Sequence, residues 1–458
     1  MPAPARVAAF RALRALSVNR VDLGEALSRA RDPLADTRDR ALATDLVMGT
    51  LRWRGAIDFQ IQQFSAKRLA RLDAEVVDAL RLGVYQILYL ERMPVSAVVN
   101  DTVAMVKASR LRSASGFVNA VLRRVSRERE TLTWPVRPSN TDSEDGRRAL
   151  VEYLAVTHSH PAWLVARWVE RYGPTPAESW LSFNNRPAAT TLAPNRLRGG
   201  RDDLAAQLLT EGVHTVPTIV APHGLTVTSG KALASAAFRN GACIIQDEAS
   251  QIIPELAGAV DGDDVLDACA SPGGKTLALA AQSATSGHVV AADVRPRRVA
   301  LLAATMRRCR VPSVHIVHIP VTGALPFRPA SFDRVLVDAP CSGLGTLRRD
   351  PDIRWRREAA DLPVLASAQR ELLDRIAPVV AVGGRLVYST CSSEPEENEE
   401  VVEAFRLNHP EFTVIPLWRL AHLDQRIRAL ATPGGYLRTT PVDGLEAFFG
   451  AVLERRAV

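Results

Sequence analysis

The chain has 458 residues, 47% of them hydrophobic and 23% charged. It is too long for one compact core and lacks the composition of a disordered chain, so about three folded units of roughly 100 to 200 residues are expected. No run approaches the ~18 apolar residues of a membrane span, and arginines interrupt the N-terminal MPAPARVAAFRALRALSVNR every few positions, so a cytoplasmic protein free of the membrane is expected. The formal charge of +7 is uneven: residues 1–140 hold 23 Lys+Arg against 14 Asp+Glu, and residues 141–458 hold 34 against 36. That asymmetry points to a polyanionic partner such as nucleic acid, although the scarcity of lysine, four of 57 basic residues, also fits a bias in nucleotide composition.

Residues 1–135, as in ALATDLVMGTLRWRGAIDFQIQQF, repeat apolar residues at three- and four-residue spacing, which predicts an all-α domain. The following TLTWPVRPSNTDSEDG is rich in Pro, Ser, Asn and Asp, so residues 136–149 read as a linker. Residues 150–260 open with helical spacing at PAWLVARWVERYG and pass through short strand-like pieces, AATTLAP, VHTVPTIV and GLTVTSG, predicting a small mixed α/β module. From 261 to 458 strand and helix patterns alternate, as in DVLDACA, KTLALAAQ, HVVAADV and RRVALLAATMRRC. This predicts an α/β unit with a parallel sheet covered on both faces, whose ligands bind at the carboxyl ends of the strands.

The first of those strands ends in DACASPGGKT, residues 267–276. A Pro-Gly-Gly turn lets backbone approach a ligand, and Asp267 with the helix N-terminus offers polar anchors. Gly274, Lys275 and Thr276 match the tail of a phosphate-binding loop, but Cys269 stands where its first glycine belongs, and no G-x-G-x-x-G is present. The second strand ends at Asp293, where a carboxylate can accept both hydroxyls of a ribose. An adenosyl ligand without phosphates fits; so does a plain tight turn with a helix cap.

The five cysteines, Cys243, Cys269, Cys309, Cys341 and Cys391, are odd in number and form no C-x-x-C pair, so no disulfide framework and no metal is expected. Each alone reads first as a small buried hydrophobe. Yet VLVDAPCSG and LVYSTCSSEPEENEE both end predicted strands in a cysteine, Cys341 and Cys391, and two thiols at one ligand edge are hard to explain as packing. Ser393 is a candidate helix cap with Pro395 and Glu396 in the first turn, and Glu394, Glu396 and Glu397 read as a solvated helix start. One chemistry uses an adenosyl donor, an Asp and two thiols. A thiolate added to carbon 6 of a pyrimidine makes carbon 5 nucleophilic toward an electrophilic methyl group, an acid at ring nitrogen 3 assists, and a second acid/base completes release.

With these residues the chain resembles the RsmB (Sun/Fmu) type of bacterial 16S ribosomal RNA cytosine-5 methyltransferase, within the Nop2/Sun family. The resemblance covers nearly the whole chain. It rests on GACIIQDEASQIIPEL, VLDACASPGGKT, FDRVLVDAPCSGLGTLRRDPDIRW, GGRLVYSTCSSEPEENE and GLEAFFGAVLER, and, in the N-terminal half, on DRALATDLVMGTLRWRGAIDF, YQILYLERMP and SGFVNAVLRR. It implies a multidomain chain: an all-α NusB-like RNA-binding domain, the small α/β module, then an α/β Rossmann-like S-adenosylmethionine-dependent methyltransferase domain. Carried over by position, it implies Cys391 as nucleophile and Cys341 in product release. The residues alone leave that choice open, because DNA cytosine methyltransferases carry their nucleophile in a Pro-Cys motif. It further implies Asp338 at the cytosine edge and beside the cofactor, and Cys269, Ala270, Ser271, Pro272, Gly273, Gly274 and Lys275 around the methionine part of S-adenosyl-L-methionine. Asp293 would meet the ribose, and Lys275 would also approach the base. Arg348, Arg349 and Arg354 are candidate RNA phosphate contacts, with solvated surface arginines as the alternative.

The chain departs from the family where the third strand ends. VHIVHIPVTG carries no acid where members usually place the Asp that contacts adenine. Ala270-Ser271-Pro272 replaces Ala-Ala-Pro, and LLAATMRRCR lacks the asparagine often present there. The expected partner is RNA, 16S ribosomal RNA first. The same chemistry on transfer RNA or another ribosomal cytosine, and an RNA-binding assembly factor with an impaired methyltransferase half, are the alternatives.

Overall fold

The computed structural model describes residues 1–457 other than 19, 20, 66, 110, 284 and 285. It divides into two units, Met1–Arg186 with Leu347–Arg357, and Pro187–Thr346 with Glu358–Val458.

The first unit is built from helices, beginning with Pro4–Ser17, Leu23–Arg31, Thr37–Arg52 and Arg54–Phe64 and continuing with Ala74–Tyr89, Val95–Ala108 and Ser115–Glu128. Their apolar stripes meet in one core, where Leu46, Leu80, Leu82 and Leu122 are fully enclosed. Asp22 and Asp36 cap the second and third helices through the backbone N–H groups of Glu25 and Arg38.

Residues 136–149 are only partly a linker. Ser143 caps a helix that starts at Glu144, accepting from Gly146 N with Glu144 and Asp145 in the first turn. Just before it, Trp134 stacks on Phe59 and Thr133 O accepts from Gln60. Helices Glu144–Thr157, Ala162–Tyr172 and Pro174–Asn185 also belong to this unit, which runs to Arg186. Ser159 Oγ ties them to the preceding helices by accepting from Gly55 N at 2.8 Å, and Trp168, fully buried with its ring centroid 4.9 Å from that of Trp180, packs the last two helices on each other.

Leu347–Arg357 is distant in sequence but part of the same unit. Trp355 Nε1 donates to Leu51 O at 2.7 Å, and Arg348 stacks over Phe183 at 4.1 Å. Arg354 corrects an expectation, because this candidate phosphate contact is 0% exposed. Its guanidinium donates to Ser159 O (3.0 Å), Asn185 Oδ1 (2.9 Å), Asn184 O (3.3 Å) and Leu347 O (3.2 Å). A planar fork with five donors can satisfy several carbonyls at once, which a lysine could not.

The second unit holds two sheets. In the small one, β1 (Thr191–Pro194), β2 (His214–Pro217), β3 (Leu225–Ser229) and β4 (Cys243–Ile245) run antiparallel in the order β2-β3-β1-β4. Three of these strands lie in the pieces read from the sequence. The large sheet comprises β5 (Val265–Asp267), β6 (Val289–Asp293), β7 (Val314–His318), β8 (Phe332–Asp338), β9 (Val380–Thr390), β10 (Phe412–Val414), β11 (Leu437–Arg438) and β12 (Phe449–Arg455). Its order is β10-β12-β9-β8-β5-β6-β7, with β11 also on β12.

β5 to β9 pair in parallel, as expected; β12 pairs antiparallel to β9, β10 and β11, so the sheet is mixed and not purely parallel. In FFGAVL, Phe449, Ala451, Val452 and Leu453 are all fully buried, so the strand is covered on both faces, and its apolar run carries no sign of its direction. Val265 and Leu266, neighbours on β5, enter opposite cores, one on each face of the sheet.

Arg354→Ala should cost about 3 kcal/mol, because it strands several buried carbonyl acceptors and leaves a cavity. Urea unfolding of the full chain, followed by tryptophan fluorescence, measures this, since all tryptophans but Trp418 lie in the helical unit. A loss below about 1 kcal/mol would contradict the burial.

Candidate active site

The carboxyl ends of β5, β8 and β9 converge because β5 pairs with β8 and β8 with β9, with Asp338 opposite Ser389. After β5 the chain turns at Gly273, whose φ of 108° lies in the left-handed region that favours glycine, and enters helix Gly274–Gln282. Cys269, Ala270, Ser271, Pro272, Gly274 and Lys275 line a cavity of about 270 Å³ with Asp267 and Asp338. Its other wall comes from residues not singled out in the sequence: Phe238, Ile244, Gln246, Ser250, Thr305 and Arg308. Gln246 and Ser250 sit in GACIIQDEASQ, but neither periodicity nor side-chain type marks them as ligands.

Polar atoms converge here. Lys275 Nζ donates to Asp338 Oδ2 at 2.7 Å, and Ser389 Oγ donates to Asp338 Oδ1 at 2.8 Å. Burial opposes the ammonium, but the Asp338 carboxylate and its hydrogen bond outweigh burial and hold the Lys275 pKa above its ordinary value. Asp267 is buried at 1% exposure and accepts from Thr276 Oγ1 at 2.7 Å. Burial raises its carboxyl to about 7, against the lowering effect of that hydroxyl. Among the described residues, Ser271 Oγ has no hydrogen-bond partner.

Beyond Asp338 and Ser389, Cys341 and Cys391 bring their Sγ atoms to 3.4 Å. The hydrogen bond to Cys391, then burial, push the Cys341 thiol well above its ordinary value. Gly345 closes this corner: its N–H donates to Cys391 O and its carbonyl accepts from Ala447 N, both at 2.9 Å, and a Cβ would lie 2.0 Å from Ala447 O. Phe448 places its ring 5.8 Å from Lys275 Nζ.

The acidic run after Cys391 is not solvated. Glu394 and Glu397 are buried at 1% and 0% exposure, and Ser393 caps no helix. The backbone makes a short turn at Pro395–Glu397 before helix Glu399–Asn408, and the side chains turn toward the loops that carry the thiols.

Asp293 ends β6 nearby, accepting from Arg295 N at 3.1 Å and pairing with Arg298 at 3.2 Å, outside the cavity lining. After β7 no carboxylate follows; Ile319 N donates to Asp293 O and the His318 ring contacts Val294 O. Arg348 and Arg349 are half-buried in the helical unit.

An open, largely parallel sheet with a glycine turn and a ligand cavity at its strand ends defines, with the comparisons that follow, an S-adenosyl-L-methionine-dependent methyltransferase domain. Residues 256–454 match the family model described as 16S rRNA methyltransferase RsmB/F, residues 3–127 that of the NusB family, and residues 160–234 an RsmF/B-like ferredoxin-like domain. The chain is 35% identical to the probable ribosomal RNA small subunit methyltransferase B of Bacillus subtilis, over 82% of this chain and 81% of that protein. It is 33% identical to the ribosomal RNA small subunit methyltransferase B of Pseudomonas putida, over 94% and 96%. The crystal structure of PH0851 is similar at a TM-score of 0.82 and 25% identity, covering 99% of each chain. The chain belongs to the 16S rRNA methyltransferase RsmB/F family.

The site fits the family's cofactor, S-adenosyl-L-methionine. The 269–275 turn provides close backbone approach, and Ser271 Oγ, without a partner among the described residues, can bond a ligand.

Between about pH 4 and 7 the folded chain retains the Asp267 proton that the unfolded chain has lost, so this group's contribution to stability falls as pH rises through that window. Asp267→Asn should therefore gain on wild type by about 1 to 4 kcal/mol between pH 5 and pH 8 in denaturant titrations. A difference that does not change with pH would contradict the raised carboxyl.

Proposed function

We propose that the protein methylates carbon 5 of a cytosine in 16S ribosomal RNA through a covalent bond between Cys391 and the base. The observation that carries this reading is the pair of thiols, 3.4 Å apart at adjacent strand ends and next to the Lys275–Asp338 pair. The family's name and the excess of basic residues over acidic ones in residues 1–140 support ribosomal RNA as the substrate.

The Thr390-Cys391-Ser392 setting, which resembles the family's Thr-Cys-Ser nucleophile motif, favours Cys391 as nucleophile. The two sulfurs meet in a contact in which either can donate, so Cys341 can donate to Cys391 Sγ and stabilise a thiolate there. Attack of that thiolate on carbon 6 shifts electrons toward carbon 5 and ring nitrogen 3. Lys275, kept as an ammonium by Asp338, holds a proton for the ring edge, and Asp338, fixed from both sides, orients that edge. S-adenosyl-L-methionine supplies the electrophilic methyl group, held by residues 269–275 with Asp293 on the ribose. Cys341, as its thiolate, then accepts the carbon-5 proton while the C6–S bond breaks, Cys391 leaves as a thiolate and the ring-nitrogen proton returns to Lys275, which restores the aromatic base.

Radiolabelled methyl transfer to protein-free small-subunit RNA, with denaturing gels, separates the roles. Cys391→Ala should lose at least ~10³-fold in rate and form no adduct, whereas Cys341→Ala should accumulate an RNA adduct. An adduct retained in Cys391→Ala would reverse the assignment.

A further inference from the structure

Glu397 grips the residue after each thiol. Its Oε1 accepts from the backbone N–H of Ser342 at 2.8 Å, and its Oε2 accepts from Ser392 Oγ at 2.6 Å. Ser342 Oγ and Ser392 Oγ lie 3.2 Å apart, closing the bridge between the two loops. A third donor, Gln369 Nε2 of helix Asp361–Ile376, reaches Oε1 at 2.9 Å and also donates to Pro340 O, one residue before Cys341, at 3.0 Å. Tyr388 on β9 completes the support, with its hydroxyl 2.6 Å from Glu397 O and 3.1 Å from Gln369 Oε1.

The carboxylate is 0% exposed and held by three neutral donors. A buried carboxylate with no cationic partner among the described residues is costly to keep for packing alone, and a well-packed apolar residue would fill the space at least as stably. What a carboxylate does here and an apolar side chain cannot is accept hydrogen bonds from two loops at once, at fixed distances. Those loops come from different strands, β8 and β9, and each carries one of the paired sulfurs directly beside its gripped serine.

We propose that Glu397 is the positioning residue that holds the two thiols in register, and so sets how fast Cys341 resolves the Cys391–base adduct. The proposal rests on the cysteine chemistry above, and goes beyond it by assigning the spacing of the sulfurs to a side chain that touches neither substrate nor cofactor. Misplacing one sulfur by an ångström should slow resolution by about 10²-fold. Formation of the adduct, in which Cys391 and not Cys341 bonds to the base, should change less.

The test has two arms on the full chain, comparing wild type, Glu397→Gln and Glu397→Ala, each checked for folding by its thermal melt. In the first, RNA-free protein is treated with diamide, which takes up the two thiol hydrogens as the sulfurs join, and the product is mapped by mass spectrometry. Wild type should join Cys341 to Cys391 ahead of any other pair; Glu397→Ala should do so about 10²-fold more slowly, and Glu397→Gln, which keeps the shape and an acceptor, within about tenfold of wild type. In the second arm, Glu397→Ala should accumulate RNA adduct as Cys341→Ala does, with Glu397→Gln restoring turnover.

A folded Glu397→Ala that pairs its thiols and turns over like wild type overturns the proposal. If that variant does not fold, the double variant Gln369→Leu with Ser392→Ala removes two of the three donors and is judged by the same criteria. A wild-type enzyme that transfers methyl groups without ever forming an adduct would sink the cysteine chemistry and with it the role in resolution, while normal diamide pairing would still report the clamp.

Discussion

The parallel pairing of β8 with β9 is the constraint on which the rest of the site depends. With Asp338 opposite Ser389 in the register, the residues that follow each strand must leave the sheet side by side. Cys341 and Cys391, 50 residues apart in sequence, meet at 3.4 Å for that reason. A slip of one residue would invert every side chain on β8 and remove Asp338 from both Lys275 and Ser389. Both strands are buried on both faces, with Val335, Leu336, Val337, Leu386, Val387 and Tyr388 all fully enclosed, as central strands of a covered sheet are.

On that frame the polar groups form a chain with graded charge. Lys275, the cation, lies against Asp338; Asp338 is braced by Ser389; the two thiols follow; and Glu397 binds the backs of their loops. These partners are in place before any substrate arrives. Preorganisation of this kind lets a site stabilise developing charge without reorganising itself during the reaction. The two sulfurs meet each other at 3.4 Å.

Much of this was legible in the sequence, and the reasons differ by region. Helical spacing in residues 1–135 and strand–helix alternation after 261 follow directly from which faces are buried, and the turn at 269–275 is marked by its Pro-Gly-Gly. The small module's strands were visible in AATTLAP, VHTVPTIV and GLTVTSG. Tertiary packing hid the rest. Arg354 looks like a surface arginine until Ser159, Asn184 and Asn185 are brought round it by chain segments far away in sequence. Glu397 sits in an acidic run that reads as solvated, and only its contacts with Ser342 and Gln369 reveal a buried clamp. Helices 144–185 join the helical unit through contacts such as that of Ser159 Oγ with Gly55 N, a preference no local pattern encodes. The expected purely parallel sheet missed the reversal at β12, because a continuous apolar run carries no direction.

Attack of a thiolate on the ring, as proposed above, activates carbon 5 of a cytosine, so the carbon-5 hydrogen must leave each time a methyl group arrives. Small-subunit RNA carrying tritium at carbon 5 of its cytosines, incubated with the enzyme and S-adenosyl-L-methionine, reads this as tritium released to water against methyl groups incorporated. One tritium should be released for every methyl transferred. Methyl incorporation with no tritium release would place the reaction at another atom and rule out the thiolate route.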